Sequence, residues 1–460
     1  MNWNENGYRM SLGRRKLLVV SYYWPPSGGS GVQRWLKLTG YLAELGWEIH
    51  VLTIEPDSAK FPSRDASLEA DIHPSLIVHR TPGFNPFAWA EALFGSKSLP
   101  DPNFARTEKT GWKTKLALFV RTHLFIPDPR KGWNSRAIHK GLELIRSEEI
   151  DLVITTSPPH SSQLIGMELK KQTAVRWIAD FRDPWTDVFY YNELGHSFLS
   201  RARDRRYEEQ VLQRADMLIT VGQEMRRQLR SRLKALGSSS PVYAIFNGFD
   251  ERDFEGSDHA ASSKLESHEG KNVFQIVYTG TMSESYRPDA FFEALEVAQK
   301  RLPEVDFQVK FVGNQPESMM HRLRKNWSML HAEGGIPHAE IPRVLLGADA
   351  LLLVIPDTPQ ANLIVTGKVF EYLRSLKPIL CLGAPNGEAA NIIRSVGAGA
   401  CFDRNEIREM ADQIIAWAEK PALSDASNER IAAISQFSRG EQAAVLSRIL
   451  GSNEKVTRTD

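Results

Sequence analysis

Four residues lie at the start of a predicted helix in the second half of the chain. Residues of these types bind phosphate groups and sugar hydroxyls in many proteins. In NLIVTGKVFEYLRSLKPILCLG (362–383), Thr366, Gly367 and Lys368 begin a helical stretch and Glu371 follows one turn later. A helix N-terminus presents unpaired N–H groups and a positive dipole, and a lysine adds charge, so we expect a diphosphate there. Glu371 is within reach of ribose hydroxyls. The alternative is a surface lysine and glutamate without a ligand.

The same stretch does not match a magnesium-binding phosphate loop. Asn362 stands where the first glycine of that motif belongs, and Val369 replaces the Ser or Thr that holds magnesium. A second cation, Arg287, follows a predicted strand that ends at Gly280. We place Arg287 and Lys368 in the candidate phosphate site. These residues predict a nucleotide diphosphate as the ligand and no metal ion.

A glycine-rich turn near the start of the chain is a second candidate for phosphate binding. Gly28, Gly29 and Gly31 lie between the first predicted strand and the first predicted helix, where ligands of open α/β sheets bind. A dinucleotide fingerprint is the alternative, with Glu55 at the ribose position. The third glycine of that fingerprint is replaced by Arg34, which makes a nicotinamide site a poor fit.

Three polar residues after the strands of the first half are candidate catalytic groups. Asp180 and Asp183 are carboxylates at i and i+3 after a predicted strand, placed to orient an acceptor or sugar hydroxyls. The alternative is an Asp–Arg–Asp ion network that fixes the loop. A metal site is disfavoured because no third ligand is identifiable. His160 begins a predicted helix, where it either contacts sugar or phosphate or serves as a cap.

The predicted secondary-structure elements that position these residues are short apolar strands, which alternate with amphipathic helices. Continuous apolar strands between helices predict parallel sheets covered on both faces. The pattern pauses and restarts near the middle of the chain, so we predict two doubly wound α/β domains. The predicted strands are 16–21, 48–54, 151–156, 175–180 and 217–221 in the first half, and 274–280, 307–313, 349–355, 378–383 and 398–402 in the second.

Changes in amino-acid composition along the chain predict the boundaries of the domains. We expect a first domain at 1–246, a polar linker at 247–271, a second domain at 272–435 and a final helix at 436–460. The first domain contains an insertion at about 81–133 that is rich in Pro, aromatic and basic residues. Such residues suit a membrane interface or an apolar acceptor groove, and an insertion packed on its own domain is the alternative. Three tryptophans either line an acceptor groove or belong to the core: Trp24, Trp133 and Trp185.

The motifs together resemble those of the GT-B glycosyltransferases and are similar to those of the family 4 retaining enzymes. The resemblance covers residues 17 to about 400, in the family's order. It implies two Rossmann-like domains that face each other across a cleft, with the acceptor on the first and the nucleotide sugar on the second. The motifs are YYWPPSGGSGVQRW, SPPHSSQLIG, ADFRDPWTD, IFNGFD, YTGTM and TGKVFEYLRSLKPIL…GEAANII.

The resemblance also implies roles for individual residues. Gly29 and Gly31 approach the phosphates or the transferred sugar, Arg287 and Lys368 clamp the diphosphate, and Glu371 holds the ribose. The final helix crosses back to the first domain. The departing phosphate accepts the proton of the acceptor on the same face of the sugar, which retains the anomeric configuration without a metal ion.

The chain departs from the family pattern at three positions. Leu363 stands where the first of two glutamates is usual, and Thr281 stands where an arginine is common. Asp180 occupies the position at which the family frequently has a catalytic histidine. These departures concern the recognition of the sugar more than the reaction class.

The expected function is retaining transfer of a hexosyl group from a UDP- or GDP-linked sugar to a glycan or lipid-linked acceptor, in the synthesis of a cell-surface polysaccharide or glycoconjugate. The alternatives are a GT-B sugar-nucleotide epimerase or phosphorylase, and a nucleotide-sugar-binding protein that has lost its chemistry. A net charge of +1 argues against nucleic acid as a partner. No apolar run approaches the roughly 20 residues of a membrane span, so we expect a cytoplasmic protein, with peripheral membrane contact left open.

Overall fold

The chain divides into two compact units. The structure is a computed structural model that describes residues 15–59, 61–84, 126–188, 191, 197–257, 272–419 and 427–452. Most of the predicted insertion, from 85 to 125, and the later part of the predicted linker, from 258 to 271, lie outside these residues. The first unit comprises Met1–Val221, Arg226–Ile245 and Ala443–Asp460, and the second comprises Gly222–Met225 and Phe246–Gln442.

The described part of the first unit contains a parallel sheet of seven strands in the order β3-β2-β1-β4-β5-β6-β7. β1 and β4 are therefore neighbours although they are far apart in sequence, and the winding reverses between them. The strands are β1 Lys16–Val20, β2 Glu48–Ile54, β3 Ile77–Thr81, β4 Leu152–Ser157, β5 Arg176–Phe181, β6 Met217–Thr220 and β7 Val242–Ala244; the helices are α1 Ser30–Glu44, α2 Asn134–Ser147, α3 Ser161–Gln172, α4 Phe198–Arg214 and α5 Gln223–Ala235.

The described part of the second unit contains a parallel sheet of six strands in the order β10-β9-β8-β11-β12-β13, with the reversal between β8 and β11. The strands are β8 Val273–Thr279, β9 Asp306–Val312, β10 Leu330–Glu333, β11 Ala350–Val354, β12 Ile379–Leu382 and β13 Gly399–Phe402. The helices are α6 Glu251–Phe254, α7 Asp289–Arg301, α8 Glu317–Asn326, α9 Ile341–Gly347, α10 Gly367–Arg374, α11 Glu388–Ser395, α12 Ile407–Glu419, α13 Asn428–Ser435 and α14 Arg439–Gly451. The predicted pair of parallel α/β sheets is confirmed.

Both faces of each sheet are covered, which explains the continuous apolar runs in the sequence. In β11, Leu352 packs in one core cluster of the second unit while Leu351 and Leu353 pack in the other, because successive side chains of a strand point to opposite faces. In the first unit, Leu17 and Val19 of β1 share a core with Leu446 of α14. The last helix therefore begins in the second unit and contributes to the core of the first.

The carboxyl edges of the two sheets carry the candidate site residues, because every described strand pair is parallel. In the first unit, the glycine turn follows β1, while His160 follows β4 and Asp183 follows β5. In the second unit, Gly280 follows β8 and Lys368 lies beyond β11. These loops flank the points where the winding reverses, which is where open α/β sheets bind ligands.

Within the described ranges, no helix combines the length and the apolarity that a bilayer crossing requires.

Candidate functional site

Lys368 lies at the centre of the candidate site in the second unit. Its Nζ donates to the Tyr278 hydroxyl at 2.5 Å and lies 4.4 Å from the centre of the Tyr278 ring. The side chain passes directly over Gly280, where a Cβ atom would lie 2.4 Å from Lys368 Cε. Gly280 also has a φ of 97°, which glycine adopts without strain. The loop after β8 and the start of α10 therefore meet at this lysine.

The charge of Lys368 lacks a matching carboxylate. Burial lowers the pKa of its ammonium group to about 8, and Glu371, one turn along α10, offsets part of that shift. No ion pair to Lys368 is formed within the described part of the chain. A desolvated cation of this kind is stabilised by an anionic ligand.

The N-terminus of α10 adds partial positive charge next to Lys368. Thr366 is the N-cap residue, but its side chain makes no capping hydrogen bond, and the first turn contains no acidic residue. The Thr366 Oγ1 is buried and has no partner among the described residues. Gly367 is exposed and leaves the first backbone N–H groups open. This geometry supports the predicted anion site, since uncapped N–H groups need an acceptor.

Glu371 contacts a histidine that the sequence did not indicate. Its Oε1 lies 3.4 Å from Nε2 of His338, which sits in the loop between β10 and α9. The contact with Glu371 raises the pKa of His338. The Glu371 carboxylate remains partly exposed, so it is accessible to a ligand hydroxyl.

Arg287, the second predicted cation of the site, is already paired. Its Nη1 lies 3.5 Å from an Asp357 carboxylate oxygen, and most of its side chain is exposed. The neighbouring Tyr286 ring lies 5.9 Å from Lys368 Nζ. Arg287 has a φ of 43°, a left-handed conformation that is rare outside glycine and is often found at binding sites.

The glycine turn of the first unit is held by contacts within its own unit. Gly28 donates its N–H to Ser63 O at 2.9 Å, and the Gly31 carbonyl accepts from Arg182 Nη1 at 2.5 Å. Gly29 is exposed and has a φ of 95°, so it is the glycine of this turn whose backbone is both accessible and left-handed. It is also the N-cap residue of α1.

Asp180 does not have the environment predicted for a catalytic carboxylate. It is fully buried and pairs with Arg34, whose Nη2 lies 3.0 Å from Asp180 Oδ1. Asp180 Oδ2 also accepts from Trp35 Nε1 and Thr156 Oγ1, each at 2.7 Å. With its oxygens occupied, Asp180 is placed to hold α1 against β5. These contacts support a structural role for Asp180, and its predicted catalytic role stays a prediction.

The side chain of Arg182, the central residue of the alternative Asp–Arg–Asp network, makes hydrogen bonds to the backbone. Arg182 donates to three backbone oxygens rather than to either aspartate: those of Gly31, Ser157 and Pro158. These bonds tie the glycine turn to the end of β4. Asp183, by contrast, is exposed.

His160 has a free ring nitrogen. Its ring stacks on Trp185 with centroids 4.9 Å apart and an interplanar angle of 11°, and its Nδ1 is buried without a partner among the described residues. Burial and the charge of Arg182 lower the pKa of His160 to about 3. The imidazole is therefore neutral at physiological pH and makes no side-chain capping bond to α3.

A buried carboxylate beneath Trp185 was not predicted from the sequence. Asp204 of α4 accepts from Trp185 Nε1 at 2.8 Å and from the Tyr191 hydroxyl at 2.7 Å. Burial raises the pKa of Asp204 to about 6. It supports the ring on which His160 stacks.

No group of three or more His, Cys, Asp or Glu side chains within the described ranges is arranged to hold a metal ion.

The comparisons with known proteins agree with this architecture. Residues 28–235 match the family described as "Glycosyl transferase 4-like domain". No curated protein sequence matches the chain.

Among solved structures, sucrose-phosphate synthase from Thermosynechococcus elongatus is 15% identical with a TM-score of 0.57, and the match covers 95% of this chain and 98% of that one. HepE from Anabaena, solved with UDP and glucose, is 16% identical with a TM-score of 0.59 and coverage of 95% and 99%. OtsA is 12% identical with a TM-score of 0.60 and the same coverage of 95% and 99%. The chain therefore has the GT-B fold, as the motifs predicted, and its residues 28–235 are similar to the glycosyl transferase 4-like domain.

Proposed function

We propose that this protein is a retaining, metal-independent hexosyltransferase. It transfers a sugar from a UDP- or GDP-linked nucleotide sugar to a glycan or lipid-linked acceptor, in the synthesis of a cell-surface polysaccharide or glycoconjugate. The observation that carries the proposal is the desolvated ammonium group of Lys368, which lacks a carboxylate partner within the described residues and adjoins the uncapped start of α10.

The second unit binds the nucleotide sugar in this proposal. Lys368 and the N–H groups at Gly367 contact the diphosphate, while Glu371, one turn along the helix, accepts from the ribose hydroxyls. HepE, which shares the fold, is solved with UDP-glucose, and this supports a nucleotide sugar as the ligand. Arg287 joins the diphosphate clamp by exchanging Asp357 for a phosphate oxygen.

Charge stabilisation at the leaving group is the main catalytic contribution. As the bond to the sugar breaks, negative charge grows on the departing diphosphate, where preorganised cations and N–H groups are most effective. Lys368 and the start of α10 supply that positive charge, a role that a metal ion has in other transferases. The departing phosphate accepts the proton of the acceptor hydroxyl on the same face of the sugar, so the anomeric configuration is retained.

The first unit binds the acceptor. His160 is neutral and has an unpaired Nδ1, so it offers a hydrogen bond to a sugar hydroxyl without adding charge. Asp183 lies beside Arg182 and is a second candidate for that contact. Asp180 takes no direct part, because its carboxylate is occupied.

The first test is ligand binding measured by thermal shift. UDP, GDP and their sugars are compared with NAD as a control, using the wild type and Lys368→Ala. We expect a rise in Tm with one nucleotide diphosphate and a loss of that rise in Lys368→Ala. A shift with NAD alone, or with no nucleotide at all, would overturn the proposal.

Two further measurements test the mechanism once an acceptor is found. NMR of the first-formed product reports whether the anomeric configuration of the nucleotide sugar is kept. Turnover after exhaustive dialysis against EDTA reports metal dependence. Inversion of configuration, or activity restored only by an added divalent cation, would contradict the corresponding part of the proposal.

A further inference from the structure

The two cysteines of the chain lie side by side on neighbouring strands of the second unit. Cys381 is on β12 and Cys401 is on β13, and the parallel register of the two strands pairs them directly. Both side chains pack in the same core cluster, so they lie on the same face of the sheet. The proposed function uses neither of them.

The spacing of the two residues suits a disulfide bond. Neighbouring strands lie about 4.8 Å apart, and a disulfide joins Cα atoms that are about 4.4–6.8 Å apart. Cys401 is also a hydrogen-bond partner of the Cys381 thiol, and this contact, together with burial, raises the pKa of Cys381. The two thiols are therefore in contact before any bond forms, and the sequence contains no third cysteine that could compete.

The two thiols differ in their access to solvent. Cys381 is fully buried, whereas Cys401 is half-buried and its Sγ lies 3.8 Å from Ala384 O. A soluble reagent reaches the more accessible of two thiols first. Cys401 is therefore the thiol that attacks the reagent, and Cys381 is the thiol that completes the reaction.

We propose that Cys381 and Cys401 form a reversible modification site whose oxidant is a low-molecular-weight disulfide such as glutathione disulfide. Cys401 loses its proton and attacks one sulfur of the oxidant, which leaves a mixed disulfide on Cys401; the departing glutathione takes up a proton. Cys381 then attacks the Cys401 sulfur in the same way and releases the second glutathione. Two protein thiols are thus oxidised to one disulfide, and one glutathione disulfide is reduced to two glutathione molecules.

An arginine that follows β13 connects this site with the candidate nucleotide site. Arg404 Nη2 donates to Tyr286 O at 2.9 Å and to Ile355 O at 2.7 Å. Tyr286 directly precedes Arg287 in the loop after β8. Ile355 lies two residues before Asp357, the ion-pair partner of Arg287. Arg404 therefore holds together the two loops that carry this ion pair.

Closing the disulfide should disturb that arrangement. A disulfide brings two Cβ atoms to about 3.5–4.5 Å, which is closer than the spacing of neighbouring strands, so the strands must approach each other at this register. β13 is a half-buried edge strand, whereas β12 is buried between two strands, so we expect β13 to move. Arg404 follows Cys401 by three residues and should move with it. Oxidation should therefore weaken nucleotide binding, a consequence that rests on the proposed function.

Counting thiols on the full chain tests the modification site directly. The protein is equilibrated with mixtures of glutathione and glutathione disulfide, quenched with acid, unfolded and treated with N-ethylmaleimide before its intact mass is measured. Since the chain has two cysteines, we expect two maleimide adducts in glutathione, none in excess glutathione disulfide, and two again after dithiothreitol. Peptide mapping should place the bond between Cys381 and Cys401. Two adducts at every glutathione ratio, a lasting glutathione adduct on Cys401, or a bond between two chains would overturn the inference.

Variants with a single cysteine test the order of the two steps. Cys381→Ala keeps only the accessible thiol, so we expect it to take up one glutathione and to retain it. Cys401→Ala keeps only the buried thiol and should stay unmodified while folded. Equal uptake by the two variants would overturn the assignment of Cys401 as the attacking thiol. The adduct count of the wild type decides whether the disulfide forms even if a variant folds poorly.

Calorimetric titration of UDP separates the effect on the nucleotide site from the disulfide itself. We expect the oxidised wild type to bind UDP about fivefold more weakly than the reduced wild type, as for the loss of one hydrogen bond. Cys401→Ala should bind UDP equally in both glutathione mixtures, which controls for effects of the reagents. Equal affinity of the two wild-type forms would overturn the coupling to Arg404. If UDP binds neither form, the proposed function fails, whereas the adduct count still decides whether the disulfide forms.

Discussion

Arg34 and Asp180 form a buried ion pair that joins α1 to β5, with 3.0 Å between Nη2 and Oδ1. Arg34 also donates to Ile245 O at 2.7 Å, so the pair fastens three separate segments of the first unit. This contact explains why the glycine turn lacks the third glycine of a dinucleotide fingerprint. The arginine at that position is needed to neutralise the carboxylate beneath it.

Asp180→Asn should destabilise the first unit, because it removes the carboxylate that neutralises the buried Arg34 cation. Removing one member of a buried pair typically costs about 3–5 kcal/mol, and we expect the free energy of unfolding in urea to fall by at least about 3 kcal/mol. Asp151→Asn, at an exposed carboxylate, should change it by less than about 0.5 kcal/mol. Loss of turnover at unchanged stability would instead support the catalytic role predicted from the sequence.

Nucleotide affinity should fall as the pH rises through the pKa of Lys368, which is about 8 in the absence of ligand. Above that pH the free protein loses the cation, so binding must recover a proton, and the loss approaches tenfold per pH unit. Calorimetric titration of UDP between pH 7.5 and 9.5 measures the slope. Lys368→Met should bind weakly with a flat profile, whereas the exposed Lys300→Met should behave as the wild type does. A flat wild-type profile would contradict the assignment.

Glu371→Ala should weaken UDP binding by about tenfold or more, as expected for a lost hydrogen bond to a charged group. It should also reduce the preference for UDP over 2′-deoxy-UDP, because the ribose hydroxyl then has no acceptor. The comparison of the two nucleotides in each variant measures this preference. Glu293→Ala, on the exposed side of α7, is the matched control. An unchanged preference would remove Glu371 from the ribose contact.

Glu371→Gln should lower the pKa of His338, since the Glu371 contact raises it in the wild type. Glu371→Gln removes the charge but keeps the shape of the side chain. The His338 pKa, followed by NMR of the imidazole protons, should then move down towards the ordinary value of about 6.5. An unmoved titration curve would show that the two side chains do not interact in solution.

Asp204→Asn should change how stability depends on pH. Burial raises the pKa of Asp204 to about 6 in the folded state, above the usual value of about 3.9 for an exposed aspartate. The folded state therefore binds more protons than the unfolded state between these values, and this contribution to stability is lost as the pH rises through 6. The decline in unfolding free energy from pH 4.5 to 7 should be shallower in Asp204→Asn than in the wild type. Equal slopes would contradict the shift.

The strands that the sequence predicted are mostly buried, although β9 alternates between buried and more exposed residues and the edge strand β13 is half-buried. All ten appear within about one residue of the predicted bounds, because a continuous apolar run is their signature. The strands that were missed, β3, β7 and β10, each form one edge of a sheet. β3 is largely half-buried or exposed and β10 is mostly so, which removes the apolar run, while β7 spans only Val242–Ala244.

The site was predictable where its residues are close in sequence. Lys368 and Glu371 share one helix, so their spacing alone placed them together. His338 could not be found, because its approach to Glu371 depends on how separate loops of the second unit pack. The contacts of Asp180 could not be predicted for the same reason: its partner Arg34 lies 146 residues earlier in the chain. Three tryptophans that the sequence assigned either to an acceptor groove or to the core are all buried: Trp24, Trp133 and Trp185.

The last helix, α14, is shared between the two units, and this affects the order in which the units can fold during synthesis. Ala443, Leu446 and Leu450 complete the same core as Leu17 and Val19, so residues that are translated after the second unit cover a strand that is translated before it. The second unit has its whole chain available before those residues leave the ribosome. The first unit is thus completed only after the second, and a chain that is cut short after Gln442 exposes the apolar surface of β1.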